Sequence, residues 1–123
     1  MRRLLFFATL TFASLLVALG ATPGDLLQRV PSVAAKSWNP FVGSEPDGRA
    51  GAKLFQQECA ACHGREANGI GKAPPLASPR VRQAEPGKLF WILRNGSLRR
   101  GMPSFAHLPE EERWQIVTYL KSQ

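Results

Sequence analysis

The chain has 123 residues, and this length allows one domain at most. Lysine and arginine outnumber aspartate and glutamate by 16 to 9, which gives a net charge of +7 at neutral pH. The globular part is smaller than the whole chain, so its core is marginal without a further stabilising group.

The N-terminal stretch has the pattern of an export signal. Arg2 and Arg3 precede residues 4–24, which carry no charge, and small residues near Gly20 suit a cleavage site. We therefore expect residues 1–20 to be a signal peptide. Because the uncharged run approaches the roughly 20 residues that span a bilayer, retention as a membrane anchor is the alternative. In both cases the positive flank stays inside and the domain is exported.

Residues 21–46 are interpreted as a linker, because four prolines and two glycines lie in this stretch. A short apolar insert, Trp38-Asn39-Pro40-Phe41, interrupts it. Two interpretations of the insert stay open. Either Trp38 or Phe41 docks on the surface of the domain, or the insert binds a partner.

A helical domain is predicted over residues 47–123. Asp47 is a candidate cap for a helix that runs to about Cys59. A second helix is expected over Pro86–Asn95, since proline suits a first turn and Gly96 suits the position after a last turn.

The last helix is expected from Pro109 to about Lys121. Its first turn holds three glutamates, which the positive end of the helix dipole favours. Its predicted buried stripe consists of Trp114, Ile116, Val117 and Leu120. Residues 64–85 and 97–107 are interpreted as loops because of their glycines and prolines. No segment has the period-two pattern of a strand, so the predicted fold class is all-α.

The most specific motif in the chain is Cys59-Ala60-Ala61-Cys62-His63. Two cysteines three positions apart, followed directly by histidine, form the signature of c-type haem attachment. Positions i and i+3 face one side of a helical turn, so both sulfurs can reach one edge of a porphyrin and form thioethers with its vinyl groups. The motif therefore predicts one covalent haem c, with His63 as the proximal ligand of its iron.

Other readings of the motif are weaker. A thioredoxin-like redox pair needs a βαβ setting, which this region lacks. A structural zinc site needs four ligands, whereas the chain offers two cysteines, His63 and the distant His107. A disulfide between Cys59 and Cys62 would close a strained ring and leave the histidine without a role.

Met102 is the candidate second ligand of the iron. It is the only methionine besides Met1, and Gly101 and Pro103 flank it in a loop. A thioether is a soft donor that raises the reduction potential of haem iron. The alternatives are that Met102 only fills space, or that His107 takes this place and lowers the potential. We expect His107 to be an exposed loop residue.

Basic residues concentrate between positions 80 and 100, where Glu85 is the single acidic residue; they are Arg80, Arg82, Lys88, Arg94, Arg99 and Arg100. An exported protein seldom meets nucleic acid, so we expect no nucleic-acid partner. An acidic redox partner fits better, because electrostatic steering speeds encounter. The alternative is an ordinary solvated surface.

With these residues in place, the chain resembles the class I monohaem cytochromes c over about residues 48–122. The resemblance rests on Gly51, Phe55, the 59–64 segment, Ala73-Pro74-Pro75-Leu76, Asn95-Gly96, Gly101-Met102-Pro103 and the last helix. It implies three to four helices wrapped around one covalently bound haem, with the first and last helices crossing near Gly51 and Phe55. It also implies that the Pro74 carbonyl accepts a hydrogen bond from His63, with Pro75 as the alternative acceptor.

The resemblance implies one-electron transfer, with both axial sites of the iron filled by His63 and Met102. The expected location is the periplasm or the outer face of the membrane, and the expected partners are a dehydrogenase, a quinol-oxidising complex or a terminal oxidase. We expect no enzymatic activity of its own. One alternative is a subunit fixed in an oxidoreductase complex. A haem enzyme or gas sensor is the remaining alternative, but it needs an open sixth site on the iron.

Overall fold

The computed structural model describes residues 25–123, so the predicted leader (residues 1–20) and the uncharged run of residues 4–24 lie outside the described residues. Within residues 25–123, no helix is long and apolar enough to cross a bilayer. The same residues form no strand and only two isolated β-bridges. The all-α prediction is confirmed.

Three longer helices and several single turns make up this part of the chain. The α-helices are α1 (Ser32–Ala35), α2 (Glu45–Glu58), α3 (Ala60–His63), α4 (Pro79–Gln83), α5 (Pro86–Asn95) and α6 (Glu110–Lys121), and short 3-10 helices cover Leu26–Gln28 and Leu98–Arg100. The second and last predicted helices agree with α5 and α6 to within one residue.

The start of α2 differs from the prediction, because Ser44 rather than Asp47 caps the helix. The Ser44 side chain accepts a hydrogen bond from the Asp47 backbone N–H at 3.4 Å, and Pro46 occupies the first turn. A serine followed three residues later by an acidic residue has the arrangement of a capping box. The helix therefore begins two residues before Asp47.

The crossing of α2 and α6 is the centre of the scaffold. A Cβ atom on Gly51 would lie 1.9 Å from the backbone oxygen of Gln115, so only glycine permits this approach of the two helices. Phe55 is fully buried, and its ring lies 5.3 Å from that of Tyr119. The predicted crossing near Gly51 and Phe55 is present. The predicted stripe of α6 is also buried, namely Trp114, Ile116, Val117 and Leu120.

Helix α5 packs on α6 through aromatic stacking. The rings of Phe90 and Trp114 are 4.0 Å apart and nearly parallel, and Leu89 and Leu93 of α5 are buried beside them. The short helix α4 lies within the region predicted as a loop. Ser78 caps it and Pro79 fills its first turn, a local start signal that the many surrounding prolines obscured.

Residues 25–44, called the strap below, fold against the helices, whereas the sequence predicted a linker over residues 21–46. Val30 is buried, and Asn39 is only 2% exposed. The Asn39 amide donates to the Thr118 hydroxyl of α6 at 3.0 Å and accepts from the Phe41 backbone N–H at 2.9 Å. Phe41 packs on the core, while Trp38 is 77% exposed. Of the two docking candidates, only Phe41 contacts the domain core.

Candidate haem site

The end of α2 delivers the Cys59–His63 motif directly into a second helical turn. Cys59 ends α2 by donating its backbone N–H to Phe55, 2.9 Å away, and it also precedes the first residue of α3. Its own carbonyl accepts from the backbone N–H of Cys62 at 3.2 Å and of His63 at 2.9 Å. The motif is therefore helical, so Cys59, Cys62 and His63 are held within one turn of backbone.

The two cysteines are free thiols in unlike surroundings, since Cys59 is buried and Cys62 is exposed. Burial raises the pKa of Cys59 to about 12, with smaller contributions from the charges of Glu58 and Cys62. Thiols of catalytic redox pairs instead have lowered pKa values. Within residues 25–123 no strand is present, so the βαβ setting of the thioredoxin-like alternative is missing there.

His63 is buried, and the segment that follows α3 fixes its ring. Nδ1 of His63 lies 2.9 Å from the carbonyl oxygen of Pro74. A carbonyl can only accept, so Nδ1 carries the proton and Nε2 keeps its lone pair for a metal. The acceptor is Pro74 and not Pro75, so this contact agrees with the preferred register of the sequence prediction.

Tight backbone contacts hold the segment that carries Pro74. Gly69 donates its N–H to the His63 carbonyl at 2.7 Å, and its φ of +83° lies in the region that favours glycine. A Cβ on Gly69 would lie 2.6 Å from the carbonyl oxygen of Ala73. The position of Pro74 relative to His63 thus depends on a glycine that sequence reasoning did not single out.

Met102 lies in a loop that is fastened to the end of α5. Ser97 and Met102 exchange two backbone hydrogen bonds of 2.9 and 3.1 Å. The Ser104 hydroxyl donates to the carbonyl of Arg94 at 2.6 Å. A Cβ on Gly96 would lie 2.6 Å from the carbonyl carbon and oxygen of Pro103. Met102 is half-buried and packs on the hydrophobic core.

His107, the alternative ligand, lies on the surface near the end of α2. Its side chain is 62% exposed, and Nε2 lies 3.9 Å from a carboxylate oxygen of Glu58. Its exposure agrees with the expectation of a loop histidine. Within residues 25–123, no three His, Cys, Asp or Glu side chains are grouped to hold a metal ion, so the zinc alternative has no support there.

Comparison with known proteins identifies the family. Residues 46–120 match the family described as subunit III of cbb3-type cytochrome c oxidase, and the chain belongs to that family. This protein is a c-type cytochrome. Its family carries iron in a covalently bound haem c. The residues present fit this group, because two free thiols and a buried imidazole with an available Nε2 lie within one turn.

Individual relatives agree with this assignment. The cytochrome is 32% identical to cytochrome c550 of Pseudomonas aeruginosa, over 99% of its own length and 92% of that protein. It is 33% identical to thiosulfate dehydrogenase of Allochromatium vinosum over 62% of its own length, and it spans only 31% of that relative.

A solved structure gives the same result for the fold. Cytochrome CL of the marine methylotrophic bacterium Methylophaga aminisulfidivorans superposes on the cytochrome with a TM-score of 0.58 and 25% sequence identity. The superposition covers 68% of this chain and 57% of cytochrome CL.

The structure divides the basic residues of positions 80–100 into two groups. On one side, Arg80 pairs with Asp25, and Lys88 pairs with Glu85 at 2.9 Å. On the other side, Arg94 and Arg99 are exposed next to the loop that carries Met102. Only part of the predicted basic cluster therefore lies beside the candidate haem site.

Proposed function

We propose that this cytochrome transfers single electrons through one haem c, held by thioethers from Cys59 and Cys62. In this proposal Nε2 of His63 and the sulfur of Met102 are the two axial ligands of the iron. The observation that carries the proposal is the contact between His63 Nδ1 and the Pro74 carbonyl. This contact presents Nε2 of a buried imidazole one turn from both thiols.

The bound haem would supply a one-electron couple between ferrous and ferric iron. The protein's part is to hold both ligands still. The Pro74 carbonyl fixes the ring orientation of His63. The paired hydrogen bonds between Ser97 and Met102 restrain the loop of the second ligand. Filled axial positions would exclude substrates and favour electron transfer over haem enzymology or gas sensing, so we propose no enzymatic activity of its own.

We place the proposed activity in the periplasm or on the outer face of the membrane, in line with the export pattern of residues 1–24. The exposed side chains of Arg94 and Arg99 would steer an acidic redox partner towards the loop that holds Met102. Candidate partners are a dehydrogenase, a quinol-oxidising complex or a terminal oxidase.

A second candidate function is that of a fixed subunit in an oxidoreductase complex. It is favoured by the matched family, whose description names a subunit of an oxidase. Co-purification from detergent-solubilised membranes distinguishes the two. A shuttle separates from its partners at moderate salt, whereas a fixed subunit stays in one stoichiometric complex.

The ligand assignment is tested by comparing Met102→Ala with His107→Ala. Loss of the thioether should abolish the methionine-to-iron charge-transfer band and lower the reduction potential. His107→Ala serves as the control, and it should keep the band and the potential of the parent protein. The opposite result, with the band and potential changed only in His107→Ala, would contradict the proposal.

A further inference from the structure

The strap has two unlike sides. Its inner side holds it to the helices through Asn39, which is bonded to Thr118, and through the core contact of Phe41. Helix α1 of the strap also lies very close to α5, because a Cβ on Gly87 of α5 would lie 2.2 Å from the carbonyl oxygen of Ala34. The strap is therefore a fixed part of the surface and presents one defined outer side.

The outer side of the strap is apolar. Val33 and Trp38 are each 77% exposed and Val42 is 60% exposed, and these are three of the five large hydrophobic side chains exposed within residues 25–123. The inward direction of Asn39 and Phe41 leaves Trp38 and Val42, their neighbours in the chain, on the side facing solvent. Exposed apolar residues that are concentrated in one short segment are typical of an interaction site.

The charge of the strap restricts the kind of surface it can meet. Residues 26–44 contain no aspartate or glutamate and two cations, Arg29 and Lys36, both exposed. Asp25, at the start of the strap, is already paired with Arg80 of α4. The outer side therefore combines an aromatic residue, aliphatic residues and positive charge, which is the composition favoured at a bilayer interface with anionic lipid.

The strap directly follows the uncharged run of residues 4–24 along the chain. The ion pair between Asp25 and Arg80 fixes the point at which residues 1–24 join the domain, and residues 4–24 carry no charge. If this run is retained as an anchor, the strap is the first part of the domain to follow the bilayer. Trp38 lies only 13 positions after Asp25, well within reach of the interface.

We propose that the outer side of the strap lies on an anionic phospholipid surface, with Trp38 and Val42 at the interface and Lys36 near the headgroups. The occupant is the bilayer, and the contact orients the cytochrome domain relative to it. The proposal does not depend on the ligand assignment at the iron, because no axial ligand is among the residues of the strap.

The test uses the full-length haem-loaded protein in lipid vesicles. The vesicles contain a photoactivatable phospholipid that forms a carbene near its glycerol group, so it labels protein segments at the bilayer interface. Labelling is mapped by mass spectrometry of peptides, in anionic phosphatidylglycerol mixtures and in phosphatidylcholine alone. We expect residues 33–42 to be labelled several-fold more than peptides with Ile70 or Leu98, which are equally apolar and exposed. This excess should shrink in neutral lipid.

Two pairs of variants separate the contributions of the apolar side chains and of the positive charge to the lipid contact. Trp38→Ser with Val42→Ser should remove most of the labelling of the strap, whereas Ile70→Ser should leave it unchanged. Lys36→Gln should weaken the dependence on anionic lipid, whereas Lys53→Gln, an exposed lysine on α2, should not. The optical spectrum of each variant checks that it is folded and haem-loaded.

Equal labelling of residues 33–42 and the peptide with Ile70 would overturn the proposal. A second measurement compares chemical modification of residues 33–42 in vesicles and in native membranes. Protection of these residues in native membranes but not in vesicles would also overturn the proposal, because that result assigns the surface to a protein partner. A normal haem spectrum alongside either result would leave the proposed electron transfer intact, so the two failures are distinguishable.

Discussion

The helix crossing and the two ligand loops are held by different kinds of interaction. At the crossing of α2 and α6, the two helix backbones meet at Gly51, and apolar side chains such as Phe55 are completely buried. In the loops that carry Pro74 and Met102, the backbone itself makes most of the contacts, through short hydrogen bonds. The crossing therefore determines mainly whether the chain folds, and the loops determine mainly where the candidate ligands lie.

Because of this difference, mutations at the crossing and mutations in the loops should affect different properties, namely stability and cofactor geometry. Burial of apolar side chains contributes free energy over a wide area, so damage to the crossing should lower the stability of the whole domain. A loop restrained by a few hydrogen bonds contributes less free energy, about 1 kcal/mol for each bond. Damage to a loop should therefore appear first in the spectrum and the reduction potential.

The largest effect is expected for Gly51→Ala. The new Cβ would lie 1.9 Å from the backbone oxygen of Gln115, so α2 and α6 must separate. We expect a loss of about 3 kcal/mol or more in the free energy of unfolding, measured by denaturant titration of the holoprotein. Gly48→Ala is the control on the same helix, since its nearest atom would be 3.9 Å away. Equal losses in both variants would contradict the crossing as the cause, because helix propensity favours alanine over glycine at both positions.

Gly96→Ala should act on the ligand loop instead. Its Cβ would meet the carbonyl of Pro103 at 2.6 Å and displace the segment next to Met102. We expect a weakened charge-transfer band and a lower reduction potential, with a stability loss of about 2 kcal/mol.

Gly101→Ala is the control in the same loop. Its φ of +78° and ψ of +9° lie in the left-handed region and cost an alanine about 1 kcal/mol, and the Cβ would meet no atom within 4 Å. Gly96, with φ of +66° and ψ of −166°, has a backbone that only glycine readily adopts, so Gly96→Ala combines backbone strain with the contact to Pro103. The charge-transfer band should persist in Gly101→Ala. If both variants lose the band to the same extent, the restraints at Gly96 are not what positions the loop.

A smaller effect is expected for Arg99→Glu, which changes neither the crossing nor the hydrogen bonds between Ser97 and Met102. We expect a several-fold slower electron transfer to an acidic partner at low salt, and little difference at high salt because of screening. Lys53→Glu on α2 introduces the same change of charge elsewhere. If stopped-flow measurements show that both variants slow electron transfer equally, the effect comes from net charge and not from a defined docking face.

The smallest effect concerns Asp47, whose carboxylate joins the start of α2 to α6. Hydrogen bonds from Ser44 and then Gln115 lower the pKa of Asp47 below its ordinary 3.8. The stabilising contribution is therefore present above that value and is lost as the pH falls through the lowered pKa. In thermal unfolding, Asp47→Asn should be less stable than the parent at neutral pH, and the difference should shrink as the pH falls below 3.8. A difference that is constant with pH would exclude the ionised carboxylate as its cause.

The scaffold could be predicted from the sequence because it follows from periodicity. The apolar spacing of α6 and the start and stop signals of α5 predicted both helices to within one residue. The strap was not predicted, because its prolines indicated a linker and the burial of Asn39 depends on Thr118, which is 79 positions later. Helix α4 follows a local start signal, Ser78 and then Pro79, but the surrounding prolines indicated a loop.

The candidate site also has parts that the sequence predicted and parts that it did not. The motif of residues 59–63 indicated haem attachment from residue types and spacing alone. The contact of His63 with Pro74 came from the resemblance to a known family, since no local pattern links them. Gly96 was predicted to end α5, and it does. Its contact with Pro103 and the role of Gly69 could not be predicted, because each depends on a close approach of backbone segments that the sequence does not encode locally.

The most direct test of the central claim is the optical spectrum of the purified holoprotein, first ferric and then ferrous with added carbon monoxide. Ligation by His63 and Met102 predicts a methionine-to-iron charge-transfer band and no response to carbon monoxide. Absence of that band together with ready binding of carbon monoxide would contradict the account, because the sixth position of the iron would then be open or weakly held.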